Sequence, residues 1–176
     1  MAGAEQDLDW VLVMDRHRLA LFQEMPIFGG VEVETLLYLL DLAERSHFEK
    51  NEFLCKEGAS GSSIHVIEKG EVAVLKSFRG QDYLLTRLGG GSCVGEMALL
   101  DMGKRSASVV ALTSCEAMTL STSAFYQLRK KNLEQYTLIQ LNMAREVCRR
   151  LRDTEQQLFE TRMEADMIDG EYCFHV

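Results

Sequence analysis

Basic side chains are scarce in this sequence, and their scarcity limits the partners that the protein is expected to bind. The 176 residues include 19 Lys and Arg against 27 Asp and Glu, which leaves a formal net charge of -8. A surface of that charge attracts neither the phosphate backbone of nucleic acids nor an anionic lipid surface. The composition therefore argues against a nucleic-acid-binding or membrane-binding protein, with only a local basic patch left as a route to either.

Paired cysteines, a leader peptide and long apolar runs are also missing. The five cysteines are scattered and include no CxxC pair, so nothing predicts a zinc ribbon or a thioredoxin-type site. The first residues, MAGAEQDLDW, are acidic where a secretory signal is basic. The apolar run at 10–14 is far too short to span a bilayer. We therefore expect a cytoplasmic protein without membrane spans, bound metal ions or cofactors.

Proline is nearly absent, and the single proline, Pro26, separates two helical patterns. Apolar residues recur at steps of three and four in 8–25 and again in 31–44, which is the spacing of an amphipathic helix. We interpret both apolar stripes as core packing. Residues 1–25 are accordingly predicted to form an N-terminal helical segment.

The pattern changes between residue 48 and about residue 120 to short strands separated by glycines. The strand candidates are rich in β-branched and apolar residues and lie at 64–67, 72–75, 83–85 and 108–112. Turns that recur about every ten residues favour a compact β-sandwich or β-roll. We predict an α+β fold, in which an antiparallel, jelly-roll-like β-roll over 26–132 is flanked by N-terminal helices and a long C-terminal helix.

The C-terminal part is predicted to be helical again. Three possible N-caps at 121–123 precede a helix at 124–131. Residues 133–163 contain neither Gly nor Pro and are predicted to form one long lid or dimerisation helix. A heptad-like seam runs along this helix through Leu141, Ala144, Cys148, Leu151, Glu155 and Leu158. The seam favours a parallel homodimer, with packing on the chain's own β-roll as the alternative, and 164–176 is predicted to be a polar tail without regular structure.

The stretch 89–109, GGGSCVGEMALLDMGKRSASV, carries the residues with recognisable chemistry. Glycines followed by a short apolar segment present backbone N–H groups at a helix start, which attract an anion. Arg105 suits a phosphate, because a guanidinium binds two of its oxygens at once and the small residues that follow allow close approach. Glu96, an acceptor when ionised, suits a sugar hydroxyl. On these two residues alone, a surface ion pair of little energetic value is the better explanation.

The surrounding order of residues resembles the phosphate-binding cassette of the cyclic-nucleotide-binding domain family, to which catabolite activator proteins belong. That cassette has the form G-E-x-A-L-[LI]-x(n)-R-[AST]-A-[ST]-V, and 95–109 fills every position. PIFGGVEVETL, from Pro26, resembles the family's entry into its N-terminal helices, and FLCKEGASGSSIHVIEKGEVAV, from Phe53, resembles its second to fourth strands. The resemblance covers about 26–158 and implies the same β-roll fold.

The resemblance also implies a role for each cassette residue. Glu96 is expected to accept a hydrogen bond from the ribose 2′-hydroxyl, and Arg105 to pair with the exocyclic oxygens of the cyclic phosphate. Ser106 is expected to add a hydroxyl or backbone N–H contact to that phosphate. The other expected contacts are Gly95, Met97, Ala98 and Ala107 along the ribose and phosphate, and the apolar side chains of Leu85 and Val94 beside the base.

A further likeness lies in the C-terminal helix, where RRLRDT at 149–154 resembles a stretch of the catabolite activator branch of the family. In that branch the threonine hydrogen-bonds adenine across the dimer interface. The resemblance thus implies that Thr154 reads adenine, partly in the partner subunit's site, and a solvent-facing threonine is the alternative. Glu155 stands where that branch has serine, which leaves the base and the dimer geometry open.

Residues 164–176 leave no room for the helix-turn-helix domain of the bacterial transcription factors. The expected function is a stand-alone, non-enzymatic sensor that binds cyclic AMP and signals to a separate protein effector. Cyclic GMP or a cyclic dinucleotide remains open as ligand, because Ser106 does not discriminate between them, and a ligand-independent interaction module remains open as function. A metal-dependent cupin oxygenase is disfavoured, because its clustered ligands are not provided by the dispersed histidines at 17, 47, 65 and 175.

Overall fold

Two antiparallel sheets that face each other form the centre of the fold. The computed structural model describes residues 18–169, with side chains through residue 163. The strands of this part are, in chain order, β1 (Glu44–Phe48), β2 (Phe53–Cys55), β3 (Ser63–Lys69), β4 (Glu71–Phe78), β5 (Gln81–Gly89), β6 (Cys93–Val94), β7 (Ser108–Ala111) and β8 (Cys115–Ser121). One sheet has the order β1-β8-β3-β6 and the other β2-β7-β4-β5, with antiparallel pairing throughout. The predicted antiparallel β-roll is confirmed.

Helices flank the sheets on one side and connect them at the ends. Within residues 18–169 they are α1 (18–24), α2 (Val33–Leu42), α3 (Glu96–Leu100), α4 (Thr122–Lys131) and α5 (Leu133–Asp169), with a 3-10 turn at Pro26–Phe28 after α1. The predicted helix at 8–25 is present over its described part, and its earlier residues lie outside the described ones. The α+β class is therefore confirmed.

The strands β3 and β8 separate two hydrophobic cores. Ile64 and Val66 of β3 pack in the core shared with the helices, whereas Ile67 packs in the core between the sheets. In β8, Met118 packs in the core shared with the helices and Ala117 packs in the core between the sheets. Because successive side chains of a strand point to opposite faces, strands buried on both faces read as nearly continuous apolar runs. This burial explains why the β3 segment shows little alternation in the sequence.

The core on the helix side fixes α4 and the first part of α5 against the first sheet. Leu128 of α4 and Ile139 and Met143 of α5 are fully buried there. The helix α4 begins where the sequence predicts, because the Ser121 hydroxyl accepts a hydrogen bond from the Ala124 N–H at 3.2 Å. Burial of each such apolar side chain contributes about 2 kcal/mol to folding.

The helix α5 is longer than the sequence pattern predicted. Residues 164–169, predicted to be an irregular tail, continue the helix to Asp169. The prediction was wrong there because 133–169 contains no residue that stops a helix, and the first glycine of this part of the chain is Gly170. From Leu151 to Arg162 every side chain is exposed. None of the helices within residues 18–169 has the length and apolar character that crossing a bilayer requires.

A histidine is buried where β3 pairs with β8. Only 7% of the surface of His65 is exposed, and its Nδ1 lies 2.9 Å from the Thr119 hydroxyl oxygen. Burial, and secondly the positive charge of Arg105, lower the pKa of His65 from 6.5 to about 4. The folded protein thus keeps this imidazole neutral at a pH where an unfolded chain is protonated.

This difference predicts an acid-sensitive stability. As the pH falls from 6.5 towards 4, the unfolded chain binds a proton at His65 that the folded chain does not, so the free energy of unfolding decreases. The loss due to this residue approaches about 3 kcal/mol at the lower end of the window. Urea unfolding across this pH range should show a shallower loss for His65→Gln than for the wild type. The matched variant His47→Gln, at an exposed histidine, should retain the wild-type slope, and equal slopes for His65→Gln and wild type would contradict the prediction.

Candidate functional site

A cavity of about 510 Å³ opens between the β-roll and α5. That volume lies within the range of pockets that bind small molecules. All ten residues predicted to contact a ligand line it, namely Leu85, Val94, Gly95, Glu96, Met97, Ala98, Arg105, Ser106, Ala107 and Thr154. Residues that the sequence did not single out complete the wall, namely Cys55, Val74, Thr86, Leu88, Val109, Arg150, Asp153 and Gln157. The structure thus brings the predicted set together, and their contact with a ligand stays a prediction.

Gly95 shapes the cavity floor through its backbone conformation. It caps α3 with a φ of 91°, in the left-handed region that glycine adopts without strain. A Cβ atom at this position would lie 2.1 Å from the Nη1 atom of Arg105 and 3.0 Å from the Ser63 carbonyl oxygen. Only glycine therefore fits between the start of α3 and the guanidinium.

Arg105 is a buried cation held by neutral groups. Only 6% of its surface is exposed. Its Nη1 donates to the Gly95 carbonyl at 2.9 Å, and its Nη2 donates to the carbonyl and hydroxyl oxygens of Ser63 at 2.7 and 3.2 Å. No carboxylate lies within 4.0 Å of the guanidinium among the residues whose side chains are described. The positive charge is thus fixed at the cavity wall without an acidic partner.

The guanidinium of Arg105 also keeps donor capacity for a ligand. Three hydrogen bonds use three of the five N–H groups that an arginine carries. Its Nε has no protein acceptor. In the described part of the chain, every fully buried side-chain nitrogen or oxygen has a hydrogen-bond partner, so this Nε is not fully buried. The Nε–H therefore faces accessible space, and an anion in the cavity can accept from it.

Glu96 is the first residue of α3 and is almost completely buried, with 2% of its surface exposed. Its Oε1 accepts a hydrogen bond from Nη1 of Arg150 at 2.5 Å. The alternative of a surface ion pair between Glu96 and Arg105 is excluded, because both are buried and the partner of Glu96 comes from α5. No described residue donates to Glu96 Oε2, which leaves that oxygen available to a ligand hydroxyl.

Arg150 joins the cassette to α5 through several contacts. In addition to the bond from Nη1 to Glu96, the Nη2 of Arg150 donates to the Cys93 carbonyl at 3.3 Å. Its Nε donates to Glu146 Oε1 at 3.1 Å. The hydrogen bond from Arg149, and more weakly the charges of Arg150 and Arg149, hold the pKa of Glu146 below its usual range although burial opposes them. Glu146 is thus a charged partner for both arginines at neutral pH.

The wall formed by the β-roll is largely apolar, and a bulge shapes it. Val74 pairs with Thr86 while the next residue, Leu75, pairs with Leu84, so Leu85 has no partner across the ladder. A bulge re-aims the side chain that it contains, and Leu85 lies at the cavity although more than half of it is exposed. At the end of β2 in the same sheet, Cys55 carries a thiol whose pKa is raised by burial. This wall suits the flat, apolar faces of a nucleobase.

The wall formed by α5 is polar and consists of Asp153, Thr154 and Gln157 together with Arg150. The Thr154 hydroxyl donates to the Arg150 carbonyl at 2.9 Å, within the helix. This bond uses the hydroxyl hydrogen of Thr154, so the hydroxyl oxygen can only accept a hydrogen bond from a ligand. Within a single chain Thr154 reaches the cavity directly, and the predicted contribution across a dimer interface is not tested by one chain.

The sequence did contain a signal for Arg150. It lies four residues before Thr154, so the two side chains share one helix face.

Residues 18–163 contain no group of three or more His, Cys, Asp or Glu arranged to hold a metal ion.

Comparisons with known proteins identify the family of this chain. The family described as cyclic nucleotide-binding domain matches residues 45–132. The cyclic AMP receptor protein of Thermus thermophilus is 30% identical over 134 residues, which cover 76% of this chain and 60% of that protein. A cAMP-dependent protein kinase regulatory subunit from Mucor circinelloides is 35% identical over 105 residues, covering 56% of this chain and 25% of that protein.

Solved structures show the same architecture. The crystal structure of Thermus thermophilus catabolite activator protein has a TM-score of 0.68 at 29% identity, covering 79% of this chain and 64% of that one. A cyclic nucleotide-binding domain from Methylobacillus flagellatus has a TM-score of 0.74 at 24% identity, covering 83% of both chains. The fold, the cassette and the matched residues together lead to one conclusion: this chain belongs to the cyclic nucleotide-binding domain family.

Proposed function

We propose that this chain is a cytoplasmic sensor that binds cyclic AMP and transmits the binding event through α5 to a separate protein effector. The observation that carries the proposal is the buried guanidinium of Arg105, which lines the cavity and has no carboxylate partner among the described side chains. A buried cation without a counter-ion is costly unless an anion joins it. A cyclic phosphate supplies a single negative charge of suitable size.

The phosphate end of the ligand would lie between Arg105 and the start of α3. Arg105 offers its free N–H, and the first backbone N–H groups of α3 have no acceptor within the helix. Ser106 and Ala107 follow Arg105 in the wall and are small, so an anion can approach the backbone closely. These neutral and cationic donors suit a phosphate and not a neutral ligand.

The ribose would lie beside Glu96. Its Oε1 is occupied by Arg150, and its Oε2 is available to accept from the 2′-hydroxyl. Glu96 also forms an ion pair with Arg150, so a hydrogen bond from the sugar hydroxyl to its other oxygen would be charge-assisted. Glu96 and Arg105 therefore orient opposite ends of the sugar phosphate.

The base would lie between Leu85, Val94 and the polar face of α5. Because Thr154 donates to the Arg150 carbonyl, it is left as an acceptor. The exocyclic amine of adenine is a donor, whereas guanine has a carbonyl oxygen at the same ring position. A Thr154 hydroxyl that can only accept a hydrogen bond thus favours adenine. Two relatives have names that refer to cyclic AMP, which agrees with this preference.

The exposed half of α5 supports a homodimer. The apolar residues of its seam, Leu141, Ala144, Cys148, Leu151 and Leu158, are all exposed in the single chain. They repeat at the spacing of a coiled coil, and a second copy laid parallel would cover them. The remaining exposed surface of the helix is then available to an effector. We assign the chain a binding role and no catalytic one.

The first test concerns Arg105. Arg105→Gln should weaken binding of cyclic AMP about 100-fold, because it removes a buried, charge-assisted contact to the phosphate. Isothermal titration calorimetry measures this directly, after unfolding curves have shown that the variant is folded. Arg87→Gln, at an exposed arginine of β5 that does not line the cavity, is the matched control and should bind as the wild type does.

The outcome of the titration separates the alternatives. Tighter binding of cyclic GMP or a cyclic dinucleotide than of cyclic AMP would reassign the ligand while retaining the site. Absence of binding for all three nucleotides in the wild type would instead favour an interaction module without a ligand, and equal binding by wild type and Arg105→Gln would place the ligand elsewhere.

The second test uses Cys148 as a reporter of the dimer. In a parallel pair of α5 helices this exposed residue of the seam faces its own copy, so mild oxidation by diamide should produce a disulfide-linked dimer on a non-reducing gel. The experiment is performed in a Cys173→Ser background so that this other cysteine cannot contribute. Cys148→Ser should abolish the band.

A matched variant tests the geometry. Glu160→Cys, combined with Cys148→Ser, places a thiol on the side of the helix away from the seam and should give no cross-link. A monomer in light scattering, or equally efficient cross-linking from position 160, would argue against the parallel dimer.

A further inference from the structure

The point where α5 leaves the body of the protein carries a cluster of charges that ligand binding alone does not explain. Glu146 is the last buried residue of α5 among the described side chains, with 8% of its surface exposed. Arg150 follows one turn later, and the helix side chains from Leu151 to Arg162 are exposed. The cluster therefore occupies the junction between the packed and the free part of the helix.

Glu146 accepts hydrogen bonds from both arginines of the cluster, Arg149 and Arg150. Glu146 Oε1 accepts from Nε of Arg150 at 3.1 Å, on the opposite side of the guanidinium from the bond that Nη1 makes to Glu96. Glu146 also accepts two hydrogen bonds from Arg149, at 2.6 and 3.1 Å. Arg149 is largely exposed and has Asp153 as a second acidic neighbour at 3.6 Å, so water and Asp153 can satisfy it without Glu146.

Arg150 depends more strongly on Glu146 for its position. An arginine side chain has many rotamers, and ordering it costs conformational entropy. Contacts on two sides of the guanidinium restrict it to one geometry, with Glu96 at one side and Glu146 at the other. Without Glu146, Arg150 would reach Glu96 from several rotamers, and the buried carboxylate would lose its fixed orientation.

We propose that Glu146 is a positioning residue for the nucleotide site, which holds Arg150 on Glu96 and so keeps the free oxygen of Glu96 directed at the cavity. Glu146 lines no part of the cavity and acts only through Arg150. The inference rests on the proposed function, because the affinity that it sets is that for a cyclic nucleotide. It also makes α5 part of the site, since Glu146 and Arg150 both belong to this helix.

One test requires no ligand. The Nε–H group of Arg150 is hydrogen-bonded to Glu146, so its ¹⁵N-detected NMR signal should be protected from exchange with water in the wild type. Glu146→Met should remove this protection. The Nε–H of Arg18, which donates to Glu68 at 2.6 Å, is the internal reference and should stay protected. Unchanged protection at Arg150 in Glu146→Met would overturn the proposal.

The second test measures binding. Glu146→Met should weaken the affinity for cyclic AMP about tenfold, the lower end of the effect of losing one hydrogen bond to a charged group. Glu146→Gln, which retains an acceptor oxygen, should recover part of the loss. One matched variant on α5 should bind as the wild type does, namely Glu160→Met, at an exposed glutamate outside the cluster.

A double-mutant cycle separates positioning from a general effect on the helix. In an Arg150→Met background, Glu146→Met should cause no further loss of affinity, because its route to the site has been removed. Equal losses in both backgrounds would show a merely structural role and would overturn the proposal. Should Arg150→Met not fold because Glu96 is left without its partner, the cycle is run in Glu96→Gln/Arg150→Met, where that charge is gone as well.

The two proposals fail in different ways. Wild-type protein that binds no cyclic nucleotide contradicts the proposed function, while the NMR result still decides whether Glu146 holds Arg150. Wild-type protein that binds cyclic AMP normally, with Glu146→Met binding equally well, contradicts the positioning role alone.

Discussion

The burial of the Arg105 charge is the constraint on which the geometry of the site depends. A guanidinium removed from water must have its donors satisfied, and here main-chain carbonyls of Gly95 and Ser63 accept from it. Its own backbone is anchored as well, since the Arg105 N–H donates to Ala59 and its carbonyl accepts from Gly58. The left-handed turn at Gly95 follows from this packing, because a side chain there would occupy the space of the guanidinium. The loop is thus built around a positive charge, which the proposed anionic ligand would neutralise.

The sequence predicted most of the fold because the relevant patterns are local. Apolar periodicity located the helices, and apolar and β-branched runs located four of the eight described strands, β3, β4, β5 and β7. Even there, β5 extends to Gln81–Gly89 where the pattern indicated only 83–85. The difference arises because most side chains of β5 are exposed, so hydrophobicity does not reveal its length. The C-terminal helix was underestimated for a related reason. Helix continuation at 164–169 depends on the absence of a stop signal, and polar composition is a poor guide to it.

The sequence predicted those residues of the site that lie close to one another along the chain. The cassette residues follow one another, so one stretch of chain places Glu96 and Arg105 in the same cavity wall. Arg150 comes from 54 residues further along and reaches Glu96 only through the angle at which α5 crosses the β-roll. No local pattern specifies that angle. Leu85 also depends on tertiary structure, because the bulge that leaves it unpaired is a property of the pairing between β4 and β5.

The position of Arg150 has a consequence for how binding at the cavity reaches the rest of the molecule. In the proposed complex, Glu96 would accept from the ligand with one oxygen while Arg150 binds the other, so the sugar and α5 would share one carboxylate. Beyond this contact the helix continues to Asp169, and its side chains are exposed from Leu151 to Arg162. At 1.5 Å per residue that free part is about 28 Å long, so a tilt of about 10° at Arg150 moves its far end by about 5 Å. A small change in the orientation of Glu96 is therefore enough, through a rigid helix, to displace a surface where a second copy or an effector would bind.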